Sequence, residues 1–141
     1  MGPIEKTVRV SFPGGARVAA TMDGTTIETD QVPENGGEGS APEPFQLFLA
    51  SLAACGGIYA HRFLQHRGID SSAVRMRLIC LKHSEKGLYK RMRFVLELPP
   101  DFPSELRAPL ARAVRQCPVK KHMQNPPEFM VEMAGEVFAD S

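Results

Sequence analysis

Neither sign of charge dominates this sequence: 17 Lys and Arg stand against 16 Asp and Glu, a formal net charge of +1. The basic excess that draws proteins to nucleic acid or to anionic membrane surfaces is missing, so neither partner is expected. Cysteine is scarce as well. Its three positions, Cys55, Cys80 and Cys117, are odd in number and match no zinc-ligand spacing. That argues against a secreted disulfide scaffold and for a cytoplasmic protein with free or redox-active thiols. The N-terminal MGPIEKTVRV lacks the apolar core of a signal peptide, and Lys6 stands where a myristoylation signal needs Ser or Thr. The longest apolar segment, which starts at Phe45, is interrupted by Gln46, Ser51 and His61 and reads as too polar for a membrane span. No G-x-S-x-G hydrolase signature occurs. The four histidines form no ligand cluster: His61 and His66 are five apart, about 140° round a helix. No metal or other cofactor is expected. The GGEG at Gly36 to Gly39 lacks the G-x-G-x-x-G spacing and the strand–turn–helix setting of a nucleotide loop.

What is present is ordinary globular composition, 43% apolar and 23% charged, in 141 residues, a length that fits one domain. Residues 7–29 read as a three-stranded meander, with strands over 7–12, 17–22 and 25–29. A Pro-Gly-Gly turn joins the first two strands. The Asp23–Gly24 pair between the last two is a strong type I′ hairpin signal. Residues 31–44, rich in Gly, Pro and Glu, read as a surface loop. A central helix spans 45–67, and Gly68 is its natural stop. Residues 73–138 supply two strands, 74–83 and 88–98, joined by a turn through Ser84 to Gly87. Two helices and a last strand over 128–138 follow. Ser104 is the expected N-cap of the first of those helices, where Pro109 forces either a kink or a later start. The order βββ–α–ββ–α–α–β makes this an α+β protein with antiparallel sheets. Arg75, Arg77, Arg91 and Arg93 share one strand face, read as a solvated surface or as a partner or anion contact.

Two thiols carry the chemical interest. Cys55 lies in LAACGGIY, where Gly56 and Gly57 together cost a mid-helix segment about 2 kcal/mol relative to alanine. Close approach of another backbone, a kink, or room beside the sulfur would each explain them; a plain packing role for the thiol also stays open. Cys117 precedes Pro118, which suits the first position of a helix and makes Cys117 the N-cap. Unsatisfied N–H groups, the helix dipole and Lys120 and Lys121 would there favour a thiolate, against the alternative of a mediocre cap replacing serine. Cys80 alternates with Val74, Met76 and Leu78 and reads as core.

PFQLFLASLAACGG, followed some sixty residues later by QCPVKKHMQNPPEF, resembles the OsmC/Ohr family of osmotically inducible and organic hydroperoxide resistance proteins. The PGG…DG…TD start and CPVKKH resemble its OsmC-like subgroup. The resemblance implies a single OsmC-like domain over 1–141, with antiparallel sheets packed on long central helices in an intertwined homodimer. It further implies a thiol-dependent peroxidase that reduces organic hydroperoxides in oxidative stress defence, with Cys55 peroxidatic and Cys117 resolving. A dithiol such as dihydrolipoamide would restore the thiols, without metal or flavin. Arg17, in PGGAR, is displaced by one residue from the family's arginine, which orients thiolate and peroxide. Ten residues before Cys55, where active reductases of the family carry Glu, stands Phe45; the nearest carboxylate is Glu43. Two alternatives stand beside this reading: a non-catalytic binder of a small hydrophobic ligand at the dimer interface, favoured by that apolar substitution, and a thiol redox sensor in which a Cys55–Cys117 disulfide signals to a partner.

Overall fold

Asp23 and Gly24 both adopt positive φ, 47° and 78°, the geometry of a two-residue hairpin loop. They join β2 (Arg17–Met22) to β3 (Thr25–Thr29), while Gly14 and Gly15 lead from β1 (Arg9–Gly14) into β2. The three strands form an antiparallel meander, with Val10 opposite Ala20 and Ala20 opposite Ile27. In this computed structural model residues 2–83 and 85–139 are described, and the chain divides into two compact units, one ending at Ala50 and the other starting at Ser51.

The segment after β3 is not the featureless loop its composition suggests. The buried Asp30 carboxylate accepts hydrogen bonds from the N–H groups of Gln31 (2.8 Å), Glu38 (3.3 Å) and Ser40 (3.0 Å). The Ser40 hydroxyl adds a fourth at 2.6 Å. A short 3-10 turn, Pro33–Asn35, sits inside this wrap. At Gly37 any side chain would collide with the Gln31 carbonyl oxygen, so the tightness of the turn requires glycine there.

Helix α1 runs Pro44–His66. Pro44 takes the first helical position, and Gln46 reaches back to accept the Glu43 N–H at 3.0 Å, half of a capping box. At the other end Gly68 has φ 67°, and its N–H bonds the Gln65 carbonyl while that of Ile69 bonds Leu64. This is a Schellman stop, one residue earlier than the expected helix end. By length and composition α1 is apolar enough to cross a membrane, so Gln46, Ser51 and His61 do not exclude a span as expected. Its buried residues, Leu52, Gly56, Ala60 and Leu64, are four apart and form a single ridge.

In the second unit β4 (Arg75–Lys82) pairs antiparallel with β5 (Tyr89–Glu97). Of the turn expected between them, Ser84 lies outside the described residues; Gly87 supplies a φ of 67°. Met76 and Leu78, opposite Leu96 and Phe94, form the apolar face. Leu64 and Ala60 of α1 meet Leu110 and Val114 of α2 (Arg107–Val114) and Phe102 in the core, with Met76, Phe94 and Leu96 packed against it. Each fully buried leucine contributes roughly 1.5–3 kcal/mol. The register puts Arg75, Arg77, Arg91 and Arg93 on the other face, as expected, together with Ile79, Leu81 and Val95; Arg77 pairs with Glu97 at 3.3 Å.

Two sequence expectations need correction. Ser104 is not an N-cap: it opens a 3-10 turn, Ser104–Leu106, capped without a side-chain bond at Pro103. The helix proper starts at Arg107, so Pro109 falls in its first turn, where its missing N–H costs nothing. The last strand is in fact a hairpin, β6 (Met130–Met133) and β7 (Glu136–Ala139), turned by Ala134 and Gly135 at φ 47° and 85°. Every residue of both strands is exposed.

Candidate active site

Cys117 is the N-cap of α3 (Pro118–Gln124), as CPV in the sequence requires, and Pro118 occupies the first position. Its sulfur makes no side-chain capping hydrogen bond to that helix. The sulfur is fully buried, 0% exposed, and lies close enough to Cys55 to raise the pKa of that thiol. The helix N-terminus acts on Cys55 instead: the Val119 N–H lowers the pKa of that thiol. Two thiols more than sixty positions apart in sequence thus meet, and both are free cysteines.

Cys55 is half-buried, midway along α1. Burial pushes its pKa above the ordinary thiol value, and the neighbouring Cys117 sulfur adds to that rise; the Val119 N–H works the other way. The site therefore holds Cys55 mainly as a thiol, next to a second sulfur and one donor suited to a thiolate.

The glycines beside it divide the work. A Cβ at Gly56 would lie 2.6 Å from the Phe94 ring and 3.3 Å from Met76 Cε, so the ring of β5 can reach α1 only over glycine. A Cβ at Gly57 would meet nothing within 4 Å. Only the first glycine is explained by packing among the described residues.

The other expected site residues belong to the first unit. Arg17, on β2, pairs with Glu38 at 3.4 Å. Glu43 gives its backbone N–H to the start of α1. Phe45 is 53% exposed, its ring 5.2 Å from that of Phe48 at a 50° tilt. Cys80 is half-buried opposite Met92, on the edge of the apolar face rather than in the core. His61 is tied to the Ser71 hydroxyl at 2.8 Å. Among the described residues no group of three His, Cys, Asp or Glu could hold a metal ion.

A cavity of ≈ 570 Å³ opens in the second unit beside these elements. Leu52, one turn before Cys55, forms part of its wall with Met92, Phe94 and Leu96; Arg115 and Lys120 also line it. Sequence reasoning missed both this cavity and Val119. The Val119 N–H could have been read from Cys-Pro-Val, since the second residue of any helix carries an unsatisfied donor. The cavity needs β5 set against residues of α1, α2 and α3, a placement that no local signal fixes.

Comparison with known proteins agrees with this architecture. Residues 37–132, more than half of the chain, match the family model described as OsmC-like protein. Among functionally curated proteins no sequence matches significantly. Among solved structures the chain resembles an osmotic stress induced and detoxification response protein from Psychrobacter arcticus, at 20% identity and a TM-score of 0.69, covering 85% of this chain and 89% of that one. It also resembles an OsmC-like protein from Mycoplasma pneumoniae, at 16% identity and 0.66, covering 87% and 89%. A third is an organic hydroperoxide resistance protein, OsmC, from Legionella pneumophila, at 24% identity and 0.53, covering 88% and 92%. At these identities the likeness is one of fold. With the family model matching most of the second unit and the fold shared along the chain, this protein belongs to the OsmC-like family.

Proposed function

We propose that the protein is a thiol peroxidase that reduces organic hydroperoxides in oxidative stress defence, in the cytoplasm. The observation that carries this reading is the proximity of two free thiols, Cys55 and Cys117, close enough that Cys117 raises the Cys55 pKa. The Cys55 thiolate attacks one peroxide oxygen, the O–O bond breaks, and the other oxygen leaves as an alcohol once protonated. Cys55 becomes a sulfenic acid. The Cys117 sulfur attacks it, water leaves, and a disulfide forms. A dithiol reductant, such as dihydrolipoamide, exchanges with that disulfide and returns both thiols.

The raised pKa of Cys55 means that a positive charge is needed to form the thiolate efficiently. Arg17 is our candidate. With Phe45 at the position of the family's carboxylate, that arginine is paired with Glu38 instead. The test is consumption of cumene hydroperoxide by the purified protein with dihydrolipoamide. Turnover lost in Cys55→Ser supports the proposal, and a wild-type protein inert toward organic peroxides would sink it.

Two copies of the chain are proposed to form the working unit. An isolated two-stranded hairpin is marginal in water, and β6–β7 exposes Met130, Val131, Met133, Val137 and Phe138. The open space at Gly57 suits the close approach of a second backbone. Light scattering should give twice the 15.5 kDa chain mass; a monomer at micromolar concentration would contradict it. The cavity favours one second reading, a binder of apolar ligands without turnover.

A further inference from the structure

The near-neutral total of this chain hides one strongly basic hairpin. Of the 17 basic and 16 acidic residues, seven basic and only one acidic, Glu85, lie between Arg75 and Arg93. The rest of the chain keeps ten basic against fifteen acidic residues. The inner face of β4 and β5, through Met76, Phe94 and Leu96, packs on the core. The outer face carries Arg75, Arg77, Arg91 and Arg93, all exposed, with Ile79 and Val95 half-buried and Leu81 47% exposed. Its paired rows contain no lysine; Lys82, Lys86 and Lys90 lie toward the turn.

The register sets Arg75 opposite Glu97, Arg77 opposite Val95, Arg93 opposite Ile79 and Arg91 opposite Leu81. No two guanidinium groups are directly opposed, which limits their repulsion and alternates charge with aliphatic surface. Arg77 is paired with Glu97, whereas Arg75, Arg91 and Arg93 belong to no ion pair among the described residues. A merely solvated face mixes both signs. Arginine without lysine is instead the composition of protein interfaces. The aliphatic rows would gain nothing from a phosphate backbone, and these rows offer no aromatic ring for a base to stack on. A second copy meeting this face with its own would set arginine against arginine.

We propose that the outer face of the β4–β5 hairpin docks an acidic segment of a partner protein. Its carboxylates would sit on Arg75, Arg91 and Arg93, whose forked guanidinium groups can each give two hydrogen bonds to one carboxylate. Its apolar side chains would cover Ile79, Leu81 and Val95. Strand alternation turns this face away from Phe94, which packs over Gly56 beside Cys55, so the inference stands apart from the peroxidase reading.

Fluorescence anisotropy of labelled polymers titrated with the full chain tests it. A copolymer of glutamate and tyrosine is expected to bind about tenfold more tightly than polyglutamate, because it also covers the aliphatic rows. Arg75→Gln/Arg91→Gln/Arg93→Gln alters exposed side chains only and should weaken copolymer binding about tenfold or more. Lys82→Gln/Lys86→Gln/Lys90→Gln removes as many charges and should change it less than about twofold. Leu81→Ser should narrow the advantage of the copolymer over polyglutamate. An equal loss in the lysine variant overturns the proposal, since binding would then follow diffuse charge. So does oligouridylate, or a phosphatidylserine vesicle, held as tightly as the copolymer, and so does a copolymer that fails to bind. An arginine variant whose mass by light scattering differs from wild type would show that a second copy covers the face, and would overturn it too.

Discussion

Asp30 and Cys55 are both groups whose acidity the fold changes, and it treats them in opposite ways. Asp30, in the first unit, is buried yet accepts four hydrogen bonds, led by the Ser40 hydroxyl, and its pKa falls from 3.8 to about 2. Cys55, in the second, is half-buried, and burial raises its pKa more than the Val119 N–H lowers it. The difference is donor supply. Burial disfavours both anions, and only the loop around Asp30 provides enough N–H and O–H groups to reverse the sign. Asp30 is thus a structural anion, stable without help, whereas Cys55 is a reactive group whose anion needs charge from elsewhere.

The largest effect expected is at the thiol. Cys55→Ser should lower hydroperoxide consumption on the order of a thousandfold or more, as removal of a nucleophile does. Cys117→Ser should keep one turnover and then accumulate sulfinic acid, visible as a mass gain of two oxygens. The pH dependence sharpens the contrast. Because the Cys55 pKa is raised, its alkylation by iodoacetamide should climb about tenfold per pH unit past pH 8 without levelling off. A plateau near neutrality would show that Cys55 is activated as the protein stands.

Asp30 should show the opposite profile. Its folded pKa is depressed, so its stabilising contribution is present above the unfolded value of 3.8 and is lost as pH falls through about 2. Asp30→Asn should melt at a lower temperature than wild type at pH 7, with the gap closing between those two pH values. A gap that persists at pH 2 would mean that the carboxylate charge is not what organises the loop.

The smallest effects separate the two glycines. Gly56→Ala gains about 1 kcal/mol of helix propensity but presses a methyl group onto Phe94, for overpacking of about 1–3 kcal/mol. A net loss of stability is expected. Gly57→Ala has no such clash and should stabilise the isolated chain by up to about 1 kcal/mol while weakening its self-association. Denaturant titrations at two protein concentrations distinguish these outcomes.

Much of the fold was legible because its stops and starts are local chemistry. Asp23–Gly24, Gly68 and Cys117–Pro118 each fix a boundary through one or two residues, and the structure places each where that chemistry requires. The β6–β7 hairpin was not legible. Alternation through Met130 to Phe138 reads as one strand, and alanine at the first turn position disguises a geometry normally signalled by Asn or Asp. The order around Asp30 escaped for a related reason, since a carboxylate ten residues from its main donor leaves no periodic trace. For the site, sequence order alone could not join Cys55 to Cys117. The resemblance supplied the pair, and the fold brings the two thiols close enough for Cys117 to shift the Cys55 pKa. The donor from Val119 and the reach of Phe94 over Gly56 depend on helix and strand placement in space.

One measurement tests the central claim most directly. The reduced protein is treated with one equivalent of cumene hydroperoxide, and its peptides are mapped by mass spectrometry without reductant. The account predicts loss of two thiols per chain and a cross-linked peptide pair joining Cys55 to Cys117, with Cys80 unmodified. Peroxide left unconsumed, with both thiols intact, would contradict it.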